Sequence, residues 1–110
     1  MKHEVMLKLK NLRVLASELE YNLDKAGLKM TDINREQLFN HNIKNIISSV
    51  EGILRNEPAE KHSIRLRKEF PDIQRNISKI KETQAGRIHS PELESMQNIV
   101  KFLENNYEKL

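Results

Sequence analysis

The chain contains no cysteine and no tryptophan. Without cysteine there is no disulfide and no thiolate metal site. Aromatic residues make up only 5% of the sequence, so any core must be built from leucine and isoleucine. There are three glycines and three prolines, few enough to leave long uninterrupted elements. No apolar run approaches the ~20 residues that a membrane-spanning helix needs. The opening MKHEVMLKLK lacks the apolar centre of a signal peptide. A soluble, cytoplasmic protein without membrane contact is therefore expected. A large excess of either charge is missing too: 19 Lys and Arg face 16 Asp and Glu, a net charge of +3. That excess is too small to demand a nucleic-acid partner. What remains is a charged chain of 110 residues, the size of one domain (1–110) with one modest core.

The pattern in that chain is helical. In the stretch Asn34 to Asn56, the residues Phe39, Ile43, Ile46, Val50 and Ile53 recur at alternating steps of four and three. Side chains at that spacing stack on one face of an α-helix. His41 lies two residues beyond Phe39, about 200° round at roughly 100° per residue, and faces outward. Asp32 or Asn34 can cap this helix, the latter with Gln37 at capping-box spacing. Pro58 stops it after Glu57. Gly52 lies inside and either permits a close helix approach or is a tolerated flaw.

Three further segments carry the same rhythm. The first runs from His3 to Ala26 with Val5, Leu9, Leu12, Ala16, Leu19, Leu23 and Ala26 on its seam, and Gly27 supplies the stop. The third covers Ala59 to Gln84 with Leu66, Phe70, Ile73, Ile77 and Ile80. Pro71 falls within it without shifting the phase, which predicts a kink or short break. Ala85-Gly86 is expected to end it. The fourth opens on Ser90-Pro91-Glu92, a capping hydroxyl, a first-turn proline and an acid. It continues with Leu93, Met96, Val100, Leu103, Tyr107 and Leu110. Four single-seam helices joined by short loops bury their seams best against one another. The expected fold is an all-α, antiparallel up-down four-helix bundle, with its third helix kinked near Pro71.

The first helix has a second apolar row. Leu7, Val14 and Tyr21 are spaced by seven, and Leu28 continues the row just past the helix. This row falls away from the seam. A helix apolar on two faces is usually buried on two faces, so these four residues are expected to form an interface with a second copy or another protein.

Chemistry is sparse. Around His41 the sequence reads Phe39-Asn40-His41-Asn42-Ile43-Lys44-Asn45. This resembles the phosphoacceptor helix of histidine phosphotransfer domains and of sensor kinase dimerisation domains. His41, Ile43 and Lys44 match both patterns, and Asn45 matches the kinase form. Asn42 stands where a sensor kinase has its acid, Ile46 where its proline often is, and Asn45 where phosphotransfer domains have glycine. The resemblance implies a four-helix bundle with His41 as phosphoacceptor and Lys44 as its electrostatic support, with Gln37 available to fix the ring tautomer.

Between Lys61 and Arg87, eight cations (Lys61, Arg65, Arg67, Lys68, Arg75, Lys79, Lys81, Arg87) face Glu69, Asp72 and Glu82. Arg65, Lys68, Arg75 and Lys79 lie along one stripe, a possible basic surface. The interspersed acids read better as ion pairs on a solvated face than as a nucleic-acid surface. His3, His62 and His89 show no helical zinc spacing, and no Glu-x-x-His pair suggests a di-iron site. No metal or cofactor is expected, and no nucleophile has a base beside it. The function expected is non-enzymatic: a regulatory or adaptor bundle acting through protein contacts, as a homodimer using the first helix. The alternative is a phosphorelay carrier using His41; nucleic-acid binding ranks third.

Overall fold

Each seam has found a partner. A computed structural model describes all residues, 1–110, and every one of its regular elements is helical. Helix α1 spans Lys2–Lys25, α2 Ile33–Gln37, α3 Ile43–Leu54, α4 Ala59–Lys81, α5 Gln84–Ile88 and α6 Ser90–Asn106. A π-helical turn, Leu38–Asn42, joins α2 to α3, and a 3-10 turn, Tyr107–Lys109, follows α6. The seams close into one core of 24 buried apolar residues, with Leu12, Leu19, Ile46, Phe70, Ile73 and Met96 at its centre. The molecule measures 41 × 23 × 17 Å, so the long helices lie along one axis.

Cross-links between helices give their directions. Asn45 bonds Glu69, and Asn42, nearer the start of its helix, bonds Asn76, nearer the end of α4. Asn22 late in α1 bonds Glu92 at the start of α6, while Lys8 early in α1 covers the Phe102 ring late in α6. Arg13 reaches Glu51 near the end of α3, and Lys81 reaches Glu94. The α3–α4 and α1–α6 pairs therefore run antiparallel.

The turns follow from backbone chemistry. Gly27 takes a φ of 98°, the Leu28 N–H donates to the Leu23 carbonyl at 2.9 Å, and the Gly27 N–H donates to Asp24 at 3.0 Å. This is a Schellman end, which brings the residue after the glycine back onto the last turn. Leu28 is thereby pulled into the core, 6% exposed, and does not extend the outer row of α1 as its spacing suggested. Asn56, φ 65°, makes the same turn after α3, with the Glu57 N–H on the Gly52 carbonyl and the Asn56 N–H on that of Ile53. Asp32 caps α2 through the Arg35 N–H at 3.0 Å. Arg35 itself is buried and donates to Asp24 and to the Leu28 carbonyl, clamping α2 onto the end of α1.

Several boundaries differ from the sequence reading. The second helix is not uniform but opens into the π turn. Helix α4 runs unbroken through Pro71 and stops at Lys81, short of Gln84. Thr83 then caps a separate short helix, α5, by accepting from the Gly86 N–H, so Gly86 starts an element where a stop was expected. Its Cα rests on the Ile80 carbonyl so closely that a Cβ would lie 1.8 Å from that oxygen. Ser90 is the first residue of α6 and makes no capping bond; His89 holds the position before it.

His89 and Glu92 secure this entry. His89 Nδ1 lies 2.7 Å from Glu92, whose other oxygen accepts from Asn22 on α1. Partial burial alone would raise the Glu92 carboxyl, but the hydrogen bonds from His89 and Asn22 and the charge of His89 outweigh it, and the group is held below the usual carboxylate range. A carboxyl depressed in the folded state adds stability above its unfolded value and loses it as pH falls through its folded value. Wild type is thus expected to exceed Glu92→Gln in urea midpoint at about pH 6, with the gap closing by about pH 3. A gap that stays constant would mean the Glu92 carboxylate does not carry the contact.

Candidate functional site

Two surfaces collect the residues singled out in the sequence. The first is a polar seam between α3 and α4. In the π turn the ladder widens by one residue, and the Ile43 N–H reaches back five positions to the Leu38 carbonyl. The result is a broad inward face, with Leu38 and Phe39, then Asn42 and Ile43, then Ile46 and Ile47 all buried. His41 is left on the outside, its side chain 53% exposed.

Asn42 is the centre of this seam and is 1% exposed. Its amide nitrogen donates to Glu69 and Asp72, both at 2.8 Å, and its oxygen accepts from the buried Asn76 at 2.7 Å. A neutral amide offers two N–H donors and an acceptor oxygen, and here both ends are used. Asn45 donates to the other Glu69 oxygen at 3.0 Å and accepts from Arg65. Arg75 donates to the other Asp72 oxygen. The hollow above this network holds about 410 Å³ and is lined by Gln37, His41, Asn42, Asn45, Lys68, Glu69, Asp72 and Arg75, all polar.

His41 and Lys44 are not brought together in one hollow. His41 borders the polar seam, whereas Lys44 lines a different groove, between α1 and α3. The carboxylate nearest the His41 ring is Glu36, 3.6 Å from Nε2, and Gln37 makes no hydrogen bond to that ring. The basic stripe on α4 is partly spent: Arg65 is committed to Asn45 and Arg75 to Asp72, while Lys68 and Lys79 stay exposed without a carboxylate partner.

The second surface is the outer face of α1. Leu7, Val14 and Tyr21 are 46%, 52% and 60% exposed, with Met6 beside them at 57%. The Lys25 ammonium sits over the Tyr21 ring, 5.4 Å from its centre. No neighbouring helix covers this row.

Three functional-looking side chains that the sequence reading passed over have structural work. Arg35 clamps α1 to α2, and His89 anchors the start of α6. His62 Nε2 bonds Glu57 at 2.9 Å, and that bond, then Arg55, holds the Glu57 carboxyl below its usual range. The His62 ring fills the space that a side chain at Gly52 would take, 2.3 Å from a Cβ there, so Gly52 serves close approach. Arg35 finds its partners on α1 and in the loop that follows it, whereas His62–Glu57 and His89–Glu92 are local pairs five and three residues apart. No group of three or more His, Cys, Asp or Glu is placed to hold a metal, and no helix is long and apolar enough to cross a membrane. No family model matches the chain, and comparison with curated proteins and with solved structures gives no significant match.

Proposed function

We propose that this protein is a non-enzymatic regulatory or adaptor bundle that acts through protein contacts, pairing with a second copy of itself through the outer face of α1. One observation carries this reading: Leu7, Val14 and Tyr21 stand about half exposed in a single row that takes no part in the core. A row of aliphatic and aromatic side chains at heptad spacing is the kind of stripe that helices bury against one another. Its symmetry suits a two-fold pairing, which is the commonest form of homodimer. With Val14 on the axis, Leu7 lies seven residues before it and Tyr21 seven after, so Leu7 meets the partner's Tyr21. Glu4 then approaches the partner's Lys25. The polar seam supports no comparable reading, because its carboxylates and amides already satisfy one another.

The contact is short, so its affinity is expected in the micromolar range, with dimer accumulating between about 1 and 100 µM. Sedimentation velocity across that range should show the transition in wild type. Val14→Glu should stay monomeric with unchanged helicity, because the residue is exposed and outside the core. A wild-type protein that remains monomeric throughout would remove the self-pairing and leave α1 to a different protein.

A further inference from the structure

We propose that the groove between α1 and α3 docks an acidic amphipathic helix of another protein. This surface adjoins the outer row of α1, with Met6 at the border between them. Of the four boundaries α1–α6, α1–α3, α3–α4 and α4–α6, the α1–α3 boundary is the loosest. The α1–α6 boundary is covered by Lys8 over Phe102 and by the Asn22–Glu92 bond. The α3–α4 boundary is closed by the asparagine network. Between α1 and α3 the boundary stays open as two hollows of about 370 and 510 Å³ that share Arg13 and Glu51.

The floor is apolar: Leu9, Ala16, Phe39, Ile43, Ile47 and Leu54. Phe39 and Ile47 keep 6% and 7% exposure, where Leu12, Leu38 and Ile46 have none. The core therefore shows an edge here. The lining spans Met6 to Glu20 along α1, about 21 Å at 1.5 Å per residue, room for a helix of about four turns. A concave apolar floor of that length takes a helix laid in with apolar residues at successive turns.

The rim sets the charge of the occupant. Lys10 flanks one end together with Arg55, which is paired with Glu57 at 3.2 Å; Arg13 stands at the middle and Lys44 at the other end. Against them are Glu20 and Glu51, and Glu51 is already neutralised by Arg13 at 2.9 Å. Lys10 and Lys44 stand on opposite walls with no carboxylate in ion-pair distance. The complement is a helix whose flanks carry Glu or Asp, placed over Lys10 on one wall and Lys44 on the other. The Arg13–Glu51 pair straddles the floor and swings aside on docking, which frees Arg13 for a carboxylate of the incoming helix.

The test uses the full chain and two fluorescein-labelled 18-residue helical peptides with the same leucine stripe, one with glutamates on its flanks and one with lysines. In fluorescence anisotropy at low salt, the acidic peptide should bind with a Kd of order 10–100 µM, and the basic one at least about tenfold more weakly. The exposed double variant Lys10→Glu/Lys44→Glu, checked for intact helicity and melting, should weaken the acidic peptide about tenfold and lower its salt dependence. Lys79→Glu, exposed on α4 and outside the groove, should bind like wild type. Equal binding of both peptides, no binding of the acidic one at about 500 µM, or an unaffected double variant would overturn the proposal. So would loss of binding in Lys79→Glu. Charge-dependent binding to phosphatidylserine vesicles without binding to the acidic peptide would assign the surface to a lipid and likewise overturn it.

Discussion

Asn42→Asp should destabilise the protein by about 3–5 kcal/mol at neutral pH, a large part of the stability of a domain this size. The substitution changes one NH2 group into an oxygen. In the wild type that NH2 donates to Glu69 and Asp72 at 2.8 Å each. The variant instead sets a third carboxylate against those two, in a position that is 1% exposed. Like charges at such a distance cannot all ionise, so one carboxyl of the trio takes a raised pKa in the folded state. A raised carboxyl binds its proton more readily folded than unfolded, so stability returns as pH falls through the raised value. Urea unfolding at about pH 7 and pH 5 should therefore show the variant gaining stability on acidification where wild type does not. Asn42→Ala removes the donor without adding charge and should lack that recovery. A variant as stable as wild type at pH 7 would mean that the amide does not bridge the two acids.

Gly86→Ala should be nearly as damaging, about 3 kcal/mol or more, for a steric reason. The added carbon would meet the Ile80 carbonyl oxygen at 1.8 Å, the Ile80 carbonyl carbon at 2.6 Å and the Lys81 Cα at 2.9 Å. All three are backbone atoms at the end of α4, and none can rotate away. The Ile80 carbonyl is further held by the Thr83 N–H at 3.0 Å and the Thr83 hydroxyl at 2.6 Å. Relief therefore requires α5 to lift off α4, which withdraws the buried Ala85. A melting temperature lower by about 10 °C or more is expected by circular dichroism. A loss of under about 1 kcal/mol would show that the α4–α5 corner can open cheaply. Gly52 makes the contrast: its nearest neighbours are the His62 ring and the Glu57 carboxylate, side-chain ends that can move.

The seams were legible because aliphatic periodicity reports directly on which face is buried. Val5 to Leu23, Phe39 to Ile53, Leu66 to Ile80 and Leu93 to Tyr107 all entered the core. Two kinds of feature were hidden. The first is a residue whose role depends on a turn. Leu28 kept the seven-residue spacing of the outer row but was carried inward by the Schellman end at Gly27, because helical angles no longer apply past a left-handed residue. The corner at Thr83 and Gly86 is similar, since a glycine marks both the stop of one helix and the first turn of another. The second is a polar residue buried by pairing. Asn42, Asn76 and Arg35 look like surface residues in the sequence, and their side-chain partners lie between 4 and 34 positions away. The amide at Asn42 was visible in the sequence; the two acids that reach it from α4 were not. His41 and Lys44 line different grooves.

The buried amide pair also fixes which alignment of α3 and α4 the chain can adopt. Seams of leucine and isoleucine are nearly interchangeable from turn to turn, so two such helices could slide by one turn, about 5.4 Å, with little loss of apolar contact. In this bundle the slide would set Asn42 against Ile73 or Ile80, and Asn76 against Phe39 or Ile46. Each amide would then be stranded among aliphatic side chains at about 1–3 kcal/mol or more, with Glu69 and Asp72 losing their donor as well. Asn42 and Asn76 thereby act as an index mark: of the several ways a repetitive interior could interlock, they leave one.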